Sequence, residues 1–377
     1  MDQPVEFWSS VELPGFSRGL MRELRAVGID ATHRFEVSEN DYRFARDALA
    51  RGRLRWRSYV SYPHHLRRDL RAEGRNPIVV ICTNTFYAPT VGVWAARHRG
   101  LRVVNWILDL FPDVLVESGT IAPAGVVDRG LARLVRATFA SADANVFLGD
   151  RLKTYATGRH GEIPRAQVIS VGADGQPFRT SVPEPRPGGQ PVHILYCGNL
   201  GRMHEIDTLV EALRSPPSPG WTMEFRGHGT GYRRLHSAVA SPALRFGPGL
   251  PDAEWTLAMQ AADVALVTLK RGAEGLVMPS KTYSAMVAGQ AVLAICPRAS
   301  DLADTILAND AGWVVEPGDV NGLRAILSAL AQRPDDVLRK RRNAFAAGHQ
   351  RYDQRVLSLQ WADLLASLGE RQVPPRS

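Results

Sequence analysis

The feature that most constrains the fold is an alternation of short β-branched runs with amphipathic helical stretches, which is interrupted once and then begins again. In the first half, strands are predicted at Val5–Ser10, Ile78–Thr83, Arg102–Leu108, Ala144–Leu148 and Gln167–Val171. A helix runs from the Leu13-Pro14-Gly15 turn to about Val27, and another covers Val126–Ser141. Gly172–Pro191 then gathers Pro177, Pro183, Pro185, Pro187 and Pro191 without apolar periodicity, which reads as a linker. Strands resume at Val192–Cys197, Thr222–Arg226, Ala243–Phe246, Asp263–Thr268, Ala291–Cys296 and Gly312–Glu316. Beyond Asn321 the pattern is helical, ending in an amphipathic helix over Tyr352–Leu368. Strand and helix in turn imply parallel sheets built from crossover units. The expected class is α/β with two doubly wound domains facing a cleft: 1–175, a linker at 176–191, 192–350, and a last helix with its tail at 351–377. In such sheets ligands sit beyond the strand carboxyl ends.

A chain of 377 residues exceeds what one core fills, in agreement with two domains. With 45% hydrophobic and 22% charged residues, disorder and fibrous repeats are excluded. No window approaches the length of an apolar membrane span, and Met1–Glu6 lacks the basic-then-apolar order of a secretory signal, so a soluble cytoplasmic protein is expected. Cys82, Cys197 and Cys296 lie far apart beside apolar residues, as buried thiols in a reducing compartment would. The histidines show no ligand spacing, so neither a metal nor another cofactor is expected. The net charge of +8 favours anionic partners: nucleotides, phosphorylated lipids or nucleic acid. Only four of the 46 basic residues are lysines, which gives weight to a lysine inside a motif.

Four segments could carry chemistry. Gly198-Asn199-Leu200-Gly201-Arg202-Met203-His204 ends a strand in a Gly-x-x-Gly turn, where backbone amides approach an anion and Arg202 adds a bidentate contact. The bland alternative is a tight turn with Arg202 and His204 in solvent. Glu274-Gly275-Leu276 leads to Pro279-Ser280-Lys281, where Ser280 is the expected N-cap and Lys281 occupies the first helical turn. A cation there opposes the helix dipole unless a phosphate binds beside it. Gly227-His228-Gly229 is a glycine-rich turn without the dinucleotide spacing, so nicotinamide and flavin are set aside. Gly247-Pro248-Gly249-Leu250 precedes a helix and could read a base edge or serve only as a loop.

In this order the segments resemble the nucleotide-sugar-binding half of a GT-B glycosyltransferase, close to glycosyltransferase family 4 and its bacterial polysaccharide and antibiotic branches. Ala261-Ala262 before the Asp263 strand, Ala288-Gly289 and Ala311–Asp319 extend the likeness. So does Trp106-Ile107-Leu108-Asp109-Leu110-Phe111-Pro112-Asp113 in the first half. The resemblance implies two Rossmann-like domains, with a last helix that crosses back to the first. It implies a metal-independent, retaining transferase that moves a hexose or N-acetylhexosamine from a nucleoside diphosphate sugar, most often a uridine one. The donor would be held by Gly198, Asn199, Gly201, Arg202, His204, Gly227, Gly229, Gly249, Leu250, Glu274, Gly275, Leu276, Ser280, Lys281 and Ser284. Lys281 and Arg202 would stabilise the departing diphosphate, Asp109 would supply a polar group, and the acceptor would enter near Gly15 and Phe16.

Three positions depart from that pattern. Ser284 stands where the family carries a ribose-binding glutamate, Leu276 where it carries the other glutamate, and Leu108 where a His or Gln is frequent. Glu274 lies near enough to substitute. These departures keep open a nucleotide-sugar-binding accessory subunit and, less so, an epimerase. The basic 51–75 region interleaves Arg51, Arg53, Arg55, Arg57, Arg67 and Arg68 with Trp56, Tyr59 and Tyr62. It reads either as a solvated helix face or as a peripheral contact with an anionic membrane bearing a lipid-linked acceptor. No nucleic-acid module is recognisable, so a nucleic-acid partner is not expected.

Overall fold

The computed structural model describes residues 3–38, 41, 47–72, 76–83, 85, 87–180, 182–185, 190–214 and 220–369. The chain divides into two compact units, one made of Met1–Val171 with Gln354–Ser377, the other of Gly172–Asp353.

The first unit comprises β1 (Val5–Val11), α1 (Pro14–Ala26), β2 (Ala31–Val37), α2 (Ala48–Trp56), a π turn (Arg57–Ser61), α3 (Tyr62–Arg71), β3 (Ile78–Cys82) and α4 (Ala88–His98). It continues with β4 (Val103–Ile107), α5 (Asp113–Glu117), α6 (Val126–Ser141), β5 (Ala144–Phe147), α7 (Asp150–His160) and β6 (Ala166–Val168). Its six parallel strands run in the order β2-β1-β3-β4-β5-β6. The central strands Ile-Val-Val-Ile-Cys and Val-Val-Asn-Trp-Ile are buried throughout, as continuous apolar runs between two helical layers should be. β2 escapes prediction from the sequence because it is an edge strand. Among the described residues it pairs only with β1, so Ala-Thr-His-Arg-Phe-Glu-Val keeps its middle half-exposed and lacks an apolar run.

The second unit comprises β7 (Val192–Asn199), α8 (Asp207–Arg214), β8 (Trp221–His228), α9 (Thr230–Ala238), β9 (Leu244–Gly247), α10 (Asp252–Ala261) and β10 (Val264–Thr268). After it come α11 (Lys281–Val287), β11 (Ala291–Ile295), α12 (Asp301–Ala308), β12 (Gly312–Val315), α13 (Val320–Gln332) and α14 (Pro334–Ala347). The strand order is β12-β11-β10-β7-β8-β9, again all parallel. Leu209, Leu213, Phe225, Leu293, Leu323 and Leu327 form part of one continuous core.

Gly172–Pro191 is partly packed into this second unit. Ala173 bridges Asp353, Gln176–Phe178 form a 3-10 turn, and the buried Phe178 meets Trp255 edge-on at 5.9 Å. Ser181 and residues 186–189 of the expected linker lie outside the described residues. The last helix begins later than its amphipathic pattern suggests. A π turn covers Gly348–Tyr352, Asp353 is extended (ψ 133°), and α15 spans Gln354–Gly369. α15 packs on α1, and its Trp361 ring sits 5.3 Å from Phe7 and 5.0 Å from Trp106. Residues 370–377 of the expected tail lie outside the described residues.

Candidate active site

Each sheet has one point where the chain reverses its direction of winding. In the second unit the path goes outward from β7 through β8 to β9, then returns to β10 on the other side of β7. Loops leaving β7 and β10 therefore diverge and open a crevice at their carboxyl ends, the usual ligand position in such sheets. The residues expected to bind a donor emerge from these loops and from those after β8 and β9.

Backbone contact dictates the glycines there. Gly198 and Gly227 are register partners in β7 and β8, and a Cβ on Gly227 would come 1.9 Å from the Gly198 carbonyl oxygen. Gly198 has φ +125°, and a Cβ on it would meet Lys281 Cε at 2.7 Å. Gly229, at φ +120°, lies against Leu200 O and Asn199 Oδ1, while Gly201 faces the Asn199 amide. The hydroxyl of Tyr196 donates to Asn199 O at 2.7 Å and pins the turn.

Lys281 projects across this turn from the start of α11. Its Nζ stands 5.8 Å from the centre of the Tyr196 ring, and it makes no ion pair with any described carboxylate. Burial pushes the ammonium below its ordinary lysine value. An electropositive group held without a counter-charge is a receptor for an anion, since desolvation has already been incurred. Ser280 holds the N-cap position, but its αR backbone leaves the side chain without a capping bond, which corrects that part of the expected role. Its neighbours Cys197, Ser284, Trp255 and Gln290 line a crevice of about 90 Å³ with Lys281.

His204 is held by Thr268. Its Nδ1 lies 3.0 Å from the Thr268 carbonyl, which can only accept, so Nδ1 carries the proton and Nε2 is the free acceptor. Burial, and then Lys281, push His204 down to about 4, so it is neutral at physiological pH. The loop thus offers a cation and a neutral acceptor side by side, suited to a phosphate and a hydroxyl.

Other expected residues are placed less directly. Arg202 is exposed and unpaired among the described residues. Gly249 is exposed in the loop before α10, and Leu250 is half-buried beside Cys197. Gly275 adopts φ +83°. Leu276, expected to meet the donor, is only 2% exposed. Glu274 has a buried Oε2 without a hydrogen-bond partner, a group still available to a ligand. A second groove beside Glu205, Lys270 and Gly318 is larger, about 650 Å³. Its Arg214, Arg234 and Arg271 are already paired with Glu211, Asp207 and Glu316, so it lacks the uncompensated charge found at Lys281.

In the first unit the reversal falls between β1 and β3. Gly15 and Phe16 lie in the first turn of α1, directly after β1. Asp109 follows β4, where Thr83 Oγ1 accepts from its backbone N–H at 3.2 Å and donates to its carbonyl at 2.8 Å. Burial pushes the Asp109 carboxyl up to about 6. Asp113 is structural. Burial opposes its ionisation, yet His160 Nε2 at 3.1 Å and Arg159 Nε at 3.1 Å outweigh that and hold the carboxyl below its ordinary value. Sequence reasoning missed Trp255, Thr268 and Gln290, which reach this site from α10, the end of β10 and the residue before β11.

No family model matches the chain. Over 287 residues it is 27% identical to the probable glycosyltransferase WbjE of Pseudomonas aeruginosa, covering 71% of this chain and 67% of that protein. The amylovoran biosynthesis glycosyltransferase AmsK of Erwinia amylovora is 27% identical over 187 residues, 48% of this chain and 46% of its own. Among solved structures, Anabaena HepE in complex with UDP-glucose aligns with a TM-score of 0.68 at 15% identity, covering 97% of this chain and 99% of that one. Similar in sequence to bacterial glycosyltransferases, the chain has the two-unit α/β fold of GT-B glycosyltransferases.

Proposed function

We propose that the protein is a retaining, metal-independent glycosyltransferase of family 4 character that moves a hexose or N-acetylhexosamine from a UDP-sugar to an acceptor in glycan assembly. The observation that carries this reading is Lys281, a partly buried cation without a counter-charge among the described residues, at the winding reversal of the second sheet. In transfer, the bond from the anomeric carbon to the diphosphate breaks, the acceptor oxygen bonds to that carbon, and the acceptor's proton leaves with the diphosphate. Negative charge grows on the diphosphate, so a fixed cation and oriented amides favour the transition state over the bound donor. Lys281 and the Gly198–Gly201 amides supply these, and Arg202 can close over the outer oxygens. His204 Nε2 and the unpaired Glu274 Oε2 can accept from sugar hydroxyls. Asp109 supplies the polar group of the acceptor half, with entry near Gly15 and Phe16.

Similarity to WbjE and AmsK supports transferase chemistry, and the UDP-glucose complex of HepE supports the donor class. A second reading, a nucleotide-sugar-binding accessory subunit, draws on the buried Leu276 and on Ser284, which leave no carboxylate at those two places. The deciding assay follows UDP release from UDP-glucose and UDP-N-acetylglucosamine across an acceptor panel, with and without chelator. Turnover unaffected by chelator, with the anomeric configuration kept by NMR, is the expected result. Tight UDP-sugar binding without release across the panel would instead favour the accessory subunit.

A further inference from the structure

Among the described residues no helix is long and apolar enough to cross a membrane, yet one helical face is built like a surface that rests on one. Leu54, Ser58, Tyr62, Leu66 and Leu70 are all buried, at a strict spacing of four from α2 through the π turn into α3. In a regular α-helix that spacing drifts by about 40° per step, which would rotate the stripe away from its core. The wider π turn over Arg57–Ser61 takes up part of that drift and keeps one face buried along the whole segment.

The opposite face is held outward with equal consistency. Leu49 is 67% exposed, Trp56 59% and Val60 51%, at intervals of seven and four residues, and Tyr59 flanks them at 41%. Four large apolar side chains on one outward face exceed what isolated exposure produces. Around them stand Arg53, Arg55, Arg67 and Arg71, all exposed, and none forms an ion pair or hydrogen bond through its side chain with a described residue. Arg57 and Arg68 are paired instead, with Glu36 and Asp69. An apolar ridge ringed by unneutralised guanidinium groups matches an anionic bilayer, whose acyl boundary takes the ridge and whose headgroups take the charge.

We propose that the outward face of the Ala48–Arg71 segment docks the protein on an anionic lipid surface. This goes beyond the transferase reading, because it requires neither donor nor acceptor. Arg75, at the far end of the basic region, lies outside the described residues and is not needed.

The test uses the full chain and flotation with phosphatidylcholine vesicles, with and without phosphatidylglycerol. Binding is expected only to the phosphatidylglycerol vesicles, with loss at about 1 M salt, where screening shortens to about 3 Å. Two double variants, Trp56→Ser with Val60→Ser and Arg53→Glu with Arg67→Glu, should each reduce the bound fraction about ten-fold or more. Leu257→Ser, at an equally exposed leucine of the second unit, should leave it unchanged. Equal vesicle binding by wild type and both double variants would overturn the proposal. So would capture of a short RNA duplex or an acidic peptide by wild type while vesicles stay unbound. Calorimetry of each variant with UDP checks the fold and keeps this result separate from the donor reading, since UDP affinity should not change.

Discussion

Replacing Lys281 by Met separates a ligand-binding cation from a structural one. The side chain is partly buried, its Nζ has no described carboxylate partner, and burial lowers its pKa. In the empty protein the ammonium therefore costs desolvation and gains only a distant ring contact at 5.8 Å. Met keeps the volume and removes the charge, so the empty protein should melt at the same temperature or higher. With nucleotide the sign reverses. A charge-assisted contact contributes about 1.5–3 kcal/mol, so the Kd for UDP should rise by about ten- to 150-fold at about 1.4 kcal/mol per decade. Isothermal titration at pH 7.5, with scanning calorimetry of both proteins, reads the two effects separately. A second signature is pH. Lys281 gives up its proton more readily than a free lysine, whereas a bound diphosphate would hold it, so wild-type affinity should weaken as pH rises toward that lowered value, with proton uptake on binding. The Met variant should lack this slope. Unchanged UDP affinity, or a fall in melting temperature with affinity intact, would refute the reasoning.

Gly227→Ala should abolish UDP binding and lower the melting temperature, because its Cβ would press on the Gly198 carbonyl at 1.9 Å; wild-type calorimetry would show that the two strands separate freely. Trp361→Ala removes a fully buried ring from the Phe7–Trp106 cluster and should cost about 3–5 kcal/mol in denaturant unfolding. Asp109, pushed up to about 6, should give the rate an ascending limb near pH 6, lost in Asp109→Asn. For acid stability, His33 and His204 are both pushed down to about 4 by burial, so the unfolded chain takes up their protons first and stability falls from about pH 6.5 toward 4. Asp109 acts with the opposite sign, since its folded form takes up a proton first as pH drops through 6. The double variant His33→Gln with His204→Gln should flatten the net loss, as read by melting temperature against pH.

Much of the fold was legible where strands are buried on both faces. Ile78–Cys82, Val264–Thr268 and Ala291–Ile295 are central, so each reads as an apolar run whatever its partners. Ala31–Val37 was not legible, because an edge strand with solvent beside it needs no such run. In the candidate site the glycines were visible as turn residues, and Lys281 stood out through the scarcity of lysine. Leu276 is legible as a departure at a binding position, and only the structure shows that it is buried. Trp255 and Thr268 carry no sequence signal of their own, since a separate helix and strand bring them to the crevice.

By itself the sequence determined the α/β class, the repetition of the strand–helix pattern and the glycine turns that close onto backbone, because periodicity and steric permission are local properties. Tertiary structure alone decided where the winding reverses, that Lys281 lies across Gly198 without a counter-charge, that Thr268 fixes the tautomer of His204, and that a π turn keeps one arginine-ringed face outward. Those facts depend on strand order and on which groups lose their water together, and neither is encoded in any single stretch of chain.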